Sequence, residues 1–407
     1  MKACLLLTLA SAVGASSAPA ADDFRVGAAD AVARARAAAP STASAIYTAA
    51  PNDTALFYSP YAWSVNATSA STINSAAYIR VLFTGAWANL SFDVSSMVNP
   101  PSQLYCRIDN GPLTPYLVAP LIALSVPVNL THGDVPYHLL EVMVKSTTET
   151  ANRWQQGVPS TKVVFTGLSV EGALAQWLPA PRNILIYGDS ITEGVLTLGG
   201  SQHYDTDHND AVRAAWRRNG PPPAIPSLTP HPPTHTATPP GAQFTVWSFN
   251  QGRLLGAEVG VIGFGATGLS RGGSGGVPPL GVSWNQLWDG APRAFTPPPD
   301  LVVFNEGTND CRAPPEPCGI APQMAAVLSS VLAACPAAAV AVLQPFNGAA
   351  TDALLAAIAT VNSPRVTFVN TTGFYNTALG GGLHPTGPND VARIAPQVAA
   401  QLRPLLK

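Results

Sequence analysis

The sequence predicts a three-layer α/β domain built on a parallel sheet over residues 182–407, preceded by an all-β, jelly-roll-like sandwich over residues 21–178. Three observations predict it. Between Ser59 and Gly172 the apolar residues come in short runs rich in β-branched and aromatic types, separated by turn residues. Beyond Leu178-Pro179-Ala180-Pro181, near-continuous apolar runs alternate with alanine-rich stretches, as expected of strands buried on both faces by helices. At 407 residues the chain also exceeds one ordinary domain of about 100–200 residues.

The N-terminus carries Lys2, an apolar run from Ala3 to Val13 and small residues ending in Ala18-Pro19-Ala20, the layout of a secretory signal over residues 1–20. That run is shorter than the roughly 20 residues a membrane span needs, and no later stretch is long and apolar enough. The expectation is a secreted chain without stable membrane insertion. Five Asn-x-Ser/Thr sequons, at Asn52, Asn66, Asn89, Asn129 and Asn370, are candidate glycosylation sites in such a chain. Without the signal four cysteines remain; Cys311 and Cys318 bracket a short Pro-rich loop and are the expected disulfide, while Cys106 and Cys335 have no assigned partner.

In the sandwich the expected strands are Tyr78 to Phe83, Leu90 to Val94, Leu104 to Ile108, Leu139 to Val144 and Val163 to Leu168, with a turn at Asp109-Asn110-Gly111. In the α/β domain they are Asn183 to Tyr187, Val259 to Phe264, Leu301 to Asn305, Val340 to Leu343 and Val366 to Val369. Helices are expected over Gln323 to Ala334, Thr351 to Val361 and Asp390 to Leu406. The Pro-rich segment 220–241 reads as a solvated loop, and its His231 and His235 as solvated rather than metal ligands. Charged residues make up 11% of the chain and the net charge is -2, which leaves no basic face for a nucleic acid.

Four segments carry chemistry. The first α/β strand runs into Gly188-Asp189-Ser190, placing a serine hydroxyl at the carboxyl end of a parallel strand, where ligands of open sheets bind. Taken alone, Asp189 and Ser190 serve equally well as helix caps. The second strand ends in Gly265-Ala266-Thr267-Gly268, where a glycine lets a backbone N–H approach a substrate oxygen, and the third ends in Glu306-Gly307-Thr308-Asn309-Asp310, which supplies an amide. With the Ser190 amide, Gly265 and Asn309 make an expected oxyanion hole. Finally, Gly382-Leu383-His384-Pro385 puts a histidine before the last helix, the usual base for a serine hydroxyl.

In that order the four segments resemble the blocks of the SGNH (GDSL-type) hydrolase superfamily over residues 182–407. The resemblance implies Ser190 as nucleophile, His384 as general base, and Ser190, Gly265 and Asn309 as oxyanion donors, with no cofactor and no metal. The domain order, together with Val144-Lys145-Ser146-Thr147 and Phe165-Thr166-Gly167, is similar to carbohydrate esterases with an N-terminal jelly roll, which remove acetyl groups from polysaccharides. One position departs from the superfamily pattern: three residues before the histidine, where it has Asp, stands Gly381. Members of the jelly-roll group use a Ser-His dyad held by a backbone carbonyl, so the resemblance implies an esterase with such a dyad, or with an incomplete and weakened triad, acting on an acylated carbohydrate or other small ester. The alternatives are a lipid-directed esterase or lysophospholipase on the same fold, and a non-catalytic carbohydrate-binding protein.

Overall fold

The computed structural model of the chain describes residues 45–109, 111–127, 137–197, 246–311, 318–375, 382–385 and 387–406. The signal at 1–20, the Pro-rich segment with His231 and His235, the sequon at Asn129 and Gly381 lie outside the described residues.

The first twelve strands are β1 (Ile46–Ala49), β2 (Phe57–Tyr58), β3 (Ser64–Val65), β4 (Ala70–Thr72), β5 (Tyr78–Phe83), β6 (Trp87–Phe92), β7 (Gln103–Ile108), β8 (Thr114–Leu117), β9 (Leu121–Ser125), β10 (His138–Ser146), β11 (Val163–Glu171) and β12 (Leu174–Ala175). They form two six-stranded antiparallel sheets, β3-β4-β11-β6-β9 with β1 on β11, and β12-β5-β10-β7-β8 with β2 on β5. Side-chain alternation separates the two. On β6 every second residue is buried, so that sheet has one face inside and one outside, whereas on β5 all six residues are buried. Ile79, Val81 and Phe83 of β5 face the other sheet, and Tyr78 faces the second half of the molecule.

That half holds β13 (Asn183–Gly188), β14 (Glu258–Gly263), the hairpin β15 (Gln286–Trp288) and β16 (Ala291–Pro292), and then β17 (Leu301–Asn305), β18 (Ala339–Leu343) and β19 (Val366–Val369). Its helices are α1 (Ser190–Glu193), α2 (Trp247–Leu255), α3 (Leu280–Ser283), α4 (Ala321–Ala334), α5 (Thr351–Val361) and α6 (Gly387–Leu402). The parallel sheet runs β14-β13-β17-β18-β19. Leu185, Tyr187 and Phe304 pack with Leu328 of α4 and Leu354 of α5; Ile184, Ile186 and Val303 pack with Trp247 of α2 and Val398 of α6. Both faces are therefore covered by helices, and the strands read as continuous apolar runs for that reason. From β13 the chain goes to one neighbour, β14, and then to the other, β17, so the switch in strand order falls beside the carboxyl end of β13.

Glu258, the first residue of β14, joins the two halves. Its carboxylate accepts from Tyr78 Oη at 2.5 Å, Arg80 Nη1 at 2.8 Å and the Ala180 N–H at 3.1 Å. Arg80 also pairs with Glu141 at 3.1 Å, its direct cross-strand partner, and Glu141 pairs with Arg107 on its other side. Because these charges are buried and held by one another, Arg80→Ala takes from Glu258 its cation and from Glu141 one of its two, leaving Arg107. It is expected to cost about 3–5 kcal/mol in denaturant unfolding. A loss of less than about 1 kcal/mol would mean that the ion pairs do not lock the two halves together.

Cys311 and Cys318 form the expected disulfide, with Cα atoms 5.6 Å apart, and Cys106 and Cys335 are free and buried. No helix among the described residues is long and apolar enough to cross a membrane.

Candidate active site

Strand β13 stops at Gly188 because the chain turns there against its neighbours: a Cβ at this position would collide with the Thr192 hydroxyl. Asp189 follows as N-cap of α1, its Oδ1 accepting the Ile191 N–H at 2.9 Å, and Gly194 ends the helix in the left-handed region at φ 90°. The two readings of Asp189-Ser190 thus divide between the residues. Asp189 is the cap, while the Ser190 hydroxyl points away and meets His384 Nε2 at 2.8 Å, across 194 residues of sequence. The histidine is set by its own loop, where Tyr375 Oη donates to the carbonyls of Gly382 at 3.1 Å and His384 at 3.2 Å. Both Ser190 and His384 are largely buried.

Asn309 comes from the loop after β17. Its Nδ2 donates to the Thr267 carbonyl at 2.9 Å and lies 3.4 Å from Asp189 Oδ2, so the amide stands beside the residue that precedes the serine. The next residue, Asp310, ties this loop to the one after β14 by accepting from Leu269 N at 2.8 Å, Ser270 N at 2.9 Å and Ser270 Oγ at 2.6 Å. Gly268 is required there, since a Cβ would run into the Asp310 carboxylate. A serine and an amide from the loops after two neighbouring strands, and a histidine from the loop before the last helix, thus lie beside the switch point of the sheet.

No family model and no curated protein matches the chain. Solved structures do. A family two carbohydrate esterase from Cellvibrio japonicus superposes with a TM-score of 0.66 at 18% identity, over 89% of this chain and 99% of that one. The chain has the fold of the family two carbohydrate esterases. An acetyl xylan esterase from the rumen bacterium Butyrivibrio proteoclasticus matches with a TM-score of 0.63 at 15% identity, covering 89% of this chain and 98% of that one. A salicylyl-acyltransferase from a tetracycline biosynthetic pathway matches with a TM-score of 0.53 at 11% identity, over 90% of this chain and 100% of that one.

Within this carbohydrate-esterase fold, the loop after β14 differs from the sequence expectation. The Gly265 N–H does not face an open site: it donates to Glu193 Oε2 at 2.7 Å. The glycine is needed for close approach, but what approaches is the Glu149 carboxylate and not a substrate oxygen: it would collide with a Cβ at position 265. The next residue, Ala266, takes φ 60°, and its N–H donates to no group among the described residues; the same holds for the Ser190 N–H. Non-glycine residues adopt this conformation rarely, and local strain of this kind collects at functional sites.

The electrostatics behind the serine are acidic and dry. Burial pushes the Asp189 carboxyl up to about 6, against the Ile191 N–H and Thr308 hydroxyl that favour its charged form. Burial, and then the charges of Asp189 and Asp310, push Glu306 well above the ordinary carboxylate range, and neither of its carboxyl oxygens has a hydrogen-bond partner among the described residues. Its surroundings therefore favour the neutral form of Glu306. Among the described residues no group of histidine, cysteine and carboxylate side chains could hold a metal ion. The residues that sequence reasoning missed are Glu193, Glu149, Arg153 and Ala266. Of these, Ala266 stood within a recognised segment beside Gly265, and Glu193 one helical turn after the serine, where its role depends on side chains far away in sequence.

Proposed function

We propose that the chain is a secreted serine esterase that removes short acyl groups, O-acetyl above all, from carbohydrate. The observation that carries the catalytic part is the 2.8 Å contact between His384 Nε2 and Ser190 Oγ beside the Asn309 amide. The substrate class is supported by the fold shared with carbohydrate esterases, one of which was solved with cellohexaose. Secretion is supported by the signal-like residues 1–20 and by the exposed sequon residues Asn52, Asn66 and Asn370.

In this reading His384 Nε2 takes the Ser190 proton as Oγ bonds to the ester carbon. The carbonyl oxygen gains the negative charge. Its donors are the Ser190 N–H, the Asn309 Nδ2 hydrogen now spent on the long 3.4 Å contact to Asp189, and the Ala266 N–H, which replaces Gly265 in that role because the Gly265 hydrogen is already given to Glu193. Collapse breaks the bond to the sugar oxygen, which leaves with the proton from His384. Water then gives its proton to His384 and attacks the acyl-enzyme, and the acid and free Ser190 are released.

The test is release of acid from three substrates: an acetylated polysaccharide, nitrophenyl acetate and a long-chain lysophospholipid. Acetate release from the first two with none from the lipid is expected. Turnover of the lipid alone would move the reading to a lipid-directed enzyme, and transfer of the acyl group to an added alcohol in preference to water would make the chain an acyltransferase, as one neighbour on this fold is named.

A further inference from the structure

Glu193 is the most heavily engaged side chain near the nucleophile, and most of what engages it comes from the sandwich. Arg153 grips it twice, Nη2 to Oε1 at 2.7 Å and Nη1 to Oε2 at 3.1 Å. Ser75, in the turn between β4 and β5, donates to Oε1 at 3.3 Å. The other hydrogen bond, from the Gly265 N–H, fixes the loop that leads to Ala266. Arg153 is itself anchored, its backbone N–H to the Gly275 carbonyl at 2.9 Å and its Nη2 to the Thr147 carbonyl at 3.1 Å. Against this pair lies a second carboxyl group, Glu149, from the segment just after β10. It is buried, within hydrogen-bonding reach of Glu193, and its Oε1 presses on Gly265 with no hydrogen-bond partner among the described residues.

Two carboxylates and one guanidinium sum to a single negative charge, and one proton brings the cluster to neutrality in a place with little water. Two bare carboxylates in contact would repel, and Glu193 cannot retreat without pulling on the Gly265 N–H. We propose that Glu149 and Glu193 share one proton and, gripped by Arg153, act as positioning residues that hold the loop after β14 against the nucleophile helix, so that the sandwich builds part of the acyl-transfer site. The inference rests on the Ser190 esterase reading for its catalytic consequence.

That consequence is a limit on the alkaline side. Burial first, and the Glu193 charge second, push the Glu149 carboxyl up to about 8, with Arg153 pulling the other way. The charged groups facing Glu149 are Glu193 on α1 and Arg153 on its own segment; the loop after β14 presents the uncharged Gly265. Because the folded value lies above the ordinary one near 4.5, the stability this proton supplies is present at low pH and is lost as pH rises through about 8.

The experiment compares wild type with Glu149→Gln, whose amide keeps a donor towards Glu193 at every pH. For a short ester, wild-type kcat is expected to fall about tenfold between pH 7 and pH 9 at nearly constant KM, following a group that titrates near 8, while the variant stays flat within about twofold. The same two proteins are melted from pH 5 to pH 8, where the difference in Tm is expected to shift steadily in favour of the variant. An unchanged alkaline limb in the variant, or a Tm difference that does not move with pH, would overturn the shared proton. If wild type hydrolyses no ester at all, the esterase reading fails by itself, and the melting series still decides whether Glu149 holds a proton.

Discussion

Alanine at Ser190 or at His384 is expected to lower kcat on a short ester by about 10⁶, the size of loss seen when either member of a serine-hydrolase catalytic unit is removed. The two losses should not multiply. At 2.8 Å the hydroxyl and the imidazole form one device: without the base the serine stays a weak nucleophile, and without the serine the base has no proton to take. The double variant should therefore be no slower than either single one, with residual turnover from the remaining oxyanion donors. Steady-state kinetics on the three variants checks this, with circular dichroism to show that each is folded. A double variant slower than the singles by the product of their separate losses would mean that the two side chains act independently and that the contact is not the catalytic one.

Asn309→Ala is the next largest expected effect, a fall of about 10² to 10³ in kcat with little change in KM. In the proposed oxyanion role the amide acts on charge that exists only in the transition state, so ground-state binding of the ester should hardly notice its loss. Since Nδ2 also ties down the Thr267 carbonyl at 2.9 Å, a modest drop in Tm is expected as well. The discriminating quantity is the split between constants. A rise in KM at constant kcat, or lost stability at unchanged specific activity, would make Asn309 a structural residue and remove it from the oxyanion hole.

How much of this the sequence displays depends on the reach of the interactions involved. Strands buried on both faces are visible as apolar runs: β17 and β19 lie where they were expected, and β13 and β14 within a residue. Helix α2 was not expected, because Trp247–Leu255 contains Asn250, Gln251 and Gly252, which a sequence pattern reads as a breaker. Its helical state is fixed by packing, for Gln251 Nε2 reaches the Ala395 carbonyl on α6 at 3.1 Å. Strand β9 hides for a different reason: Leu121 and Ala123 point outward while Ile122 and Leu124 are buried, so apolar residues on both faces erase the alternation. The Ser190–His384 contact was legible because its two residues stand in short segments at strand or helix ends. The partner of the Gly265 N–H was not, since Glu193 is held by Arg153 and Ser75, 40 and 118 residues away in the chain. Gly265 was read as a donor to a substrate oxygen, but a glycine does not reveal which group approaches it, and here that group is a carboxylate.

The central claim, that Ser190 activated by His384 forms the acyl-enzyme, is tested most directly by mass spectrometry of the protein after reaction with a fluorophosphonate. One adduct is predicted, on the peptide that contains Ser190, absent from Ser190→Ala and formed more than a hundredfold more slowly in His384→Ala, because only an activated hydroxyl reacts. A folded wild-type protein that takes no label, or a label that persists in Ser190→Ala, would contradict the account.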